Sequence, residues 1–210
     1  MYNNKVIGSN QNKTRLILSA WTWRIPLLTL ILVEGASFLH LIEAQPSFTT
    51  AGLLLQSFVF LIFFEWFHHY IYTKHGRLLP WWIVSGIVLC IVLDATGDYL
   101  GWYGSLWYFD TVLHFSLPAA AVAGFWGIRK TLGLETSFSY LWWTVAPCVT
   151  TLGAMYEMEE YLEDYFTGSH RLGDGFDTAN DLLMDFLGAF SPVIIVYIIK
   201  KVSRGQSKAK

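Results

Sequence analysis

The chain has 210 residues, of which 54% are apolar and only 14% charged, against about 25% charged in an ordinary soluble domain. That excludes a soluble globular domain and a basic nucleic-acid binder. The net charge of −2 makes the placement of the charges, not their sum, the informative feature.

In chain order, six stretches approach the ~20 apolar residues that a bilayer-spanning helix needs: residues 24–42, 51–72, 79–98, 109–128, 138–160 and 178–200. The prediction is an all-α, six-span transmembrane bundle. Residues 1–23 form a polar basic leader to it, 24–200 a single membrane domain, and 201–210 a basic tail. The first stretch is too long for the apolar part of a signal peptide and contains Glu34, so a retained span is expected. Cys90 and Cys148 both fall inside predicted spans, where a thiol behaves as a small hydrophobe and no disulfide or metal framework is expected.

Lys and Arg favour cytoplasmic loops. With six spans, one side of the membrane receives Lys5, Lys13, Arg15, Arg24, Lys74, Arg77, Arg129, Lys130, Lys200, Lys201, Arg204, Lys208 and Lys210, and the other only Arg171. Both termini are therefore predicted to be cytoplasmic, in a plasma (inner) membrane. Eight of the ten tryptophans lie near inner span ends, and Trp102 and Trp107 in an outer loop, as interfacial belts require. The basic tail from Lys200 suits contact with anionic lipid.

The acids show the opposite bias. Glu65 and Glu135 are inner and Glu34 is deep in span one, while the other 13 of 16 fall on the outer side. Their spacing is helical. Asp94 and Asp98 are four apart, as are Asp110 and His114. Glu157 and Glu160 are three apart, and Asp174, Asp177, Asp181 and Asp185 draw one stripe. At ~1.5 Å per residue, Asp185 lies roughly 10 Å and His114 roughly 7 Å inside their spans. A mid-helix acid costs on the order of 2.5–3.5 kcal/mol to insert, so the stripe must face the bundle interior or a wet cavity. Crowded carboxylates must share protons, pair with Arg171 or His114, or hold a cation.

Plainer roles compete at several positions. Glu159, Glu163 and Asp164 read as a solvated edge, as do Glu43 and Asp98. Asp174, Asp177 and Asp110 are candidate helix caps. His114 can be a core histidine, and Tyr156, Tyr161 and Tyr165 interface packing. Capping does not explain Asp181 or Asp185, which lie past the first turn. Glu65, His68 and His69 suit interfacial snorkelling better than a metal site. Glu34 either extends the outer cavity or pairs with a hydroxyl of a neighbouring helix.

The segments Asp110-Thr-Val-Leu-His114-Phe115, Tyr156-Glu157-Met-Glu-Glu160, Arg171 with Asp174, and Asp177-Thr-Ala-Asn-Asp181-Leu-Leu-Met-Asp185-Phe-Leu-Gly188-Ala189 resemble the small multi-pass membrane proteins related to VanZ and to YjdF-like proteins. The resemblance covers residues 90–190. It implies a compact helical bundle in a membrane and, through VanZ, envelope or lipid-linked chemistry. Glu160 stands where VanZ-type sequences often carry Gln, and Asp185 where they often carry Asn, which places the chain nearer the YjdF-like side.

The predicted function is a metal-dependent membrane hydrolase or transferase acting at the outer leaflet on a lipid or lipid-linked phosphate. Glu157, Glu160, Asp177, Asp181, Asp185 and His114 are the candidate ligands. Their oxygens suit Mg, Mn or Ca, and the imidazole extends the choice to Zn or Fe. His114, oriented by Asp110, is also the candidate acid–base group, and Arg171 the candidate receiver of a phosphate oxygen. A proton- or cation-coupled transporter and a metal-stabilised sensor or assembly protein are the alternatives.

Overall fold

A computed structural model describes the backbone of residues 3–208 and the side chains of residues 21–202, in both cases without 44, 45, 47 and 170. Lys5, Lys13, Arg15, Arg204, Lys208 and Lys210 of the charge bias lie outside the described side chains. Every regular element described is helical: α1 (Asn3–Phe38), α2 (Thr50–His75), α3 (Trp81–Tyr99), the short α4 (Trp102–Ser105), α5 (Phe109–Thr131), α6 (Phe138–Tyr140), a π segment (Leu141–Val145), α7 (Ala146–Thr167) and α8 (Gly175–Lys208). α1 passes residue 23 without a break, and α8 likewise passes residue 201.

The chain turns where its local chemistry says it must. Thr49 caps α2 by accepting from the Gly52 N–H at 3.1 Å, and Ser137 starts α6 by accepting from Tyr140 N at 3.1 Å. Gly168 ends α7 at φ 73°, a left-handed conformation that costs glycine nothing. The π segment ends just before Pro147, whose missing N–H interrupts the helical ladder.

Four helices are long and apolar enough to cross a membrane: Thr50–His75, Trp81–Tyr99, Phe109–Thr131 and Gly175–Val202. The predicted first and fifth stretches are helical but do not meet that standard on the described residues. Arg24 and Glu34 interrupt the first. Five acids, Glu157, Glu159, Glu160, Glu163 and Asp164, crowd the last half of α7.

Packing divides the helices into two groups of three. Trp23, Leu27, Phe64, Ile71, Val84 and Val88 join α1, α2 and α3. Val122, Leu141, Val145, Ala189, Phe190 and Val193 join α5, the π segment and α8, with α7 laid along α8. α3 and α5 connect the groups, and glycine makes the approach possible. A Cβ on Gly127 would lie 2.6 Å from Ile83 Cδ1. Backbone meets backbone most closely between α5 and α8, where a Cβ on Gly188 would lie 2.2 Å from the carbonyl oxygen of Phe115.

The ends of the bundle are chemically distinct. At the end holding Arg24 and Glu65, the guanidinium grips the carboxylate through both Nε and Nη2, the latter at 2.7 Å. His68 is buried against Trp23, with ring centroids 6.4 Å apart, while His69 is exposed. Glu65, His68 and His69 thus point to three different environments. Glu34 is fully buried, and its Oε1 accepts from the Ser57 hydroxyl on α2 at 3.0 Å. That is the pairing with a neighbouring hydroxyl.

Candidate functional site: a carboxylate–histidine centre

The opposite end of the bundle collects the acids. His114, one turn into α5, is the hub. Its Nδ1 lies 3.3 Å from Asp185 Oδ1 on α8. Its Nε2 faces Asp110 Oδ1 at 3.5 Å and Glu157 Oε1 of α7 at 3.7 Å. Asp110, His114 and Asp181 each place a ligand atom within 4.8 Å of the other two. Three helices therefore converge on one imidazole. Glu157, Asp181 and Asp185 are buried, at 5%, 3% and 2% exposure.

Glycines decide how Asp185 reaches His114. The near-contact at Gly188 brings α8 against α5 one turn below Asp185. On the other side, a Cβ at Gly153 of α7 would lie 2.1 Å from Asp185 Oδ2. Asp185 occupies the slot that this missing side chain leaves. Gly153 carries no motif signal, and nothing in the sequence marks it. Asn180 fixes the α8 register from the next position, donating to Thr111 Oγ1 at 3.1 Å and to Asp181 Oδ1 at 3.4 Å.

The buried oxygens are short of partners. Neither oxygen of Glu157 accepts a hydrogen bond, nor does Asp185 Oδ2. Buried polar atoms are normally satisfied, so this deficit needs a chemical account.

The remaining candidate acids take distinct places. Asp174, not Asp177, caps α8: its Oδ1 accepts from Phe176 N at 2.9 Å and Asp177 N at 3.0 Å. Asp177 is half-buried in the first turn of α8, where a Cβ on Gly173 would lie 2.1 Å from its Oδ2. Asp110 is not a cap either; α5 has no side-chain cap, and Asp110 turns to His114. Glu160 joins a second cluster around Arg171, whose Nη2 lies 2.8 Å from Glu160 Oε1.

That second cluster corrects the reading of a solvated edge. Glu163 is 9% exposed and meets Arg171 Nη1 at 3.3 Å, and its other oxygen accepts from Thr49 N at 3.1 Å. Asp164 holds the loop after α7, accepting from Arg171 N at 2.9 Å, Leu172 N at 3.0 Å and Ser169 Oγ at 2.6 Å. Asp98 accepts from Phe48 N at 3.2 Å. Glu159 remains half exposed, 3.8 Å from Arg171. Tyr161 and Tyr165 are exposed, but the Tyr156 hydroxyl accepts from Arg171 Nη2 at 2.9 Å. The Arg171 guanidinium also lies 3.4 Å above the Phe48 ring. Burial alone would pull the Arg171 pKa down; Tyr156 and Glu160 outweigh it and push it above its ordinary value. Arg171 is thus a charged clamp among α7, the loop before α2 and the loop before α8.

A smaller pair flanks the site. Tyr103 on α4 donates to Asp94 on α3. Burial, and then the Asp94 charge, push the Tyr103 pKa upward, so the phenol stays protonated. Phe109 packs edge-on to Tyr103 and fits over Gly97, where a Cβ would lie 2.2 Å from the ring.

Apolar helices of spanning length, with charged groups turned inward at one end, define a helical membrane protein. The chain belongs to DUF2238, a family of predicted membrane proteins, whose model matches residues 24–202. No curated protein and no solved structure matches the chain.

Proposed function

We propose that His114, Asp110, Glu157 and Asp181 hold a divalent metal ion, with Asp185 orienting the imidazole. The observation that carries this reading is the two-sided environment of His114. A metal-bound histidine typically donates its other N–H to a carboxylate, and Asp185 occupies that place at 3.3 Å. Ions with ligand distances of about 2.1 Å keep neighbouring ligand atoms roughly 3.0–3.4 Å apart. The spacings from Nε2 to Asp110 and Glu157, 3.5 and 3.7 Å, are close to that and too long for good hydrogen bonds. A cation would also satisfy the bare oxygens of Glu157. A donor set of one imidazole and several carboxylates suits Mn, Fe or Zn better than Ca or Mg.

The chain in this reading makes six spans with both ends cytoplasmic, because Arg24 and Glu34 are paired or buried in α1, and α7 buries Glu157 beside His114 and pairs Glu160 and Glu163 with Arg171. The site then faces outward, near the outer leaflet. Chemistry on a lipid or lipid-linked phosphate, as in the VanZ-like resemblance, is the activity such a centre would serve, with the ion as Lewis acid. Arg171 serves there as a structural clamp, since its terminal nitrogens already face Tyr156, Glu160 and Glu163.

The test is metal analysis of protein purified in detergent without added chelator, together with thermal unfolding. About one equivalent of a transition metal is expected, and chelation should lower the melting temperature. Asp181→Asn should carry no metal and melt alike with and without chelator. Metal-free protein whose melting ignores both chelator and added Mn or Zn would overturn the reading. His114 would then be a protonated ion-pair hub. Transport of protons or cations would be the better account, since Glu34 is fully buried with Oε2 unpartnered. Metal binding without turnover on lipid phosphates would favour the sensor or assembly alternative.

A further inference from the structure

At the end of the bundle away from the carboxylates, α5, the turn after it and α8 enclose a groove of about 1350 Å³. Arg129 and Lys130 enter it from α5, and Lys200 and Lys201 from α8. Glu135 is the one carboxylate in its lining. Among the described residues, no carboxylate lies within ion-pair distance of any of these four cations.

Three of the cations are held in place by neutral groups. Arg129 Nε donates to Thr136 Oγ1 at 2.9 Å and its Nη2 to the Glu135 carbonyl at 2.9 Å. Lys200 Nζ donates to the Thr136 carbonyl at 3.0 Å. Arg129 also lies 5.2 Å over the Tyr140 ring, and Lys130 lies 5.5 Å over Trp126. Arg129, Lys130 and Lys200, held around one turn, and the exposed Lys201 beside them have no carboxylate partner among the described residues and together form a receptor for an anion.

We propose that this groove binds the headgroup of an anionic phospholipid. Its position favours a lipid over a free phosphate. The groove sits where the apolar run of α8 gives way to Lys200 and Lys201, and cationic residues that follow an apolar span lie at headgroup depth. Ile195, Ile198 and Ile199 leave an exposed aliphatic face on α8 just below it, along which acyl chains can run. Aromatic rings at that depth are themselves interfacial anchors. The expected pattern is charge-dependent lipid retention that does not depend on the carboxylate–histidine centre.

The full chain is purified in a neutral detergent and titrated with phosphatidylglycerol, phosphatidylcholine or inorganic phosphate, with native mass spectrometry counting retained molecules and melting temperature as a second readout. Phosphatidylglycerol should bind at least tenfold more tightly than phosphatidylcholine, and raised salt should weaken it. Lys130→Gln with Lys201→Gln should weaken it about thirtyfold, at ~1 kcal/mol per charge. These two lysines make no hydrogen bond that the fold relies on, so the variant should fold; Asp181→Asn should bind the lipid as wild type does. Equal binding of the two lipids, an unaffected double variant, or displacement of phosphatidylglycerol by millimolar inorganic phosphate would overturn the proposal.

Discussion

Substituting Gly188 tests whether helix approach builds the site. In Gly188→Ala the new Cβ would stand 2.2 Å from the Phe115 carbonyl oxygen, where about 3.3 Å is the closest comfortable carbon–oxygen contact. α5 and α8 must therefore part locally by about 1 Å. The atom met is backbone, so no rotamer change relieves the clash. Overpacking of this kind costs about 1–3 kcal/mol, offset by up to ~1 kcal/mol from the better helix propensity of alanine. A net loss of about 1–2 kcal/mol would lower the melting temperature by roughly 2–8 °C. The same shift would stretch the 3.3 Å His114–Asp185 contact past hydrogen-bonding distance, so metal retention should fall as well. Gly86→Ala is the control: nothing lies within 4 Å of its Cβ position on α3, and it should stabilise by about 0.5–1 kcal/mol. Melting in detergent and metal content by mass spectrometry read both effects. Gly188→Ala melting as high as Gly86→Ala, with full metal content, would refute the reasoning.

Other outcomes follow from the same contacts. Arg171→Gln leaves Glu160 and Glu163 without their cation and should cost about 3 kcal/mol; adding Glu160→Gln and Glu163→Gln should recover part of it, and the three melting curves decide. Glu163→Gln alone should lower stability measurably, because its carboxylate also accepts from Thr49 N at 3.1 Å; a neutral result would mean that the loop before α2 is not held there. Thr49→Ala should cost about 1 kcal/mol through loss of the α2 cap, checked by chemical denaturation in micelles. Reporter fusions after Lys201 should read cytoplasmic and fusions within residues 161–175 external; the reverse at either position would sink the six-span topology.

The sequence by itself determined the helical class and the inward turn of the acids. Each depends on nearest neighbours along the chain: apolar length, and the four-residue spacing that puts Asp110 and His114 on one face. The charge asymmetry between loops was legible for the same reason. Which partner each acid meets was decided only in the tertiary structure. Glu157 and Glu160 share a face of α7, yet one turns to His114 and the other to Arg171. Asp177 and Asp181 share the α8 stripe, but it is Asp181 that joins Asp110 and His114 with ligand atoms within 4.8 Å of one another. Glu163 and Asp164 looked like a wet edge and are pinned by loop backbone and by Arg171. Those outcomes rest on how closely one backbone approaches another. That distance is set by small residues such as Gly153 and Gly188, whose role is an absence of atoms and leaves no periodic mark in the sequence.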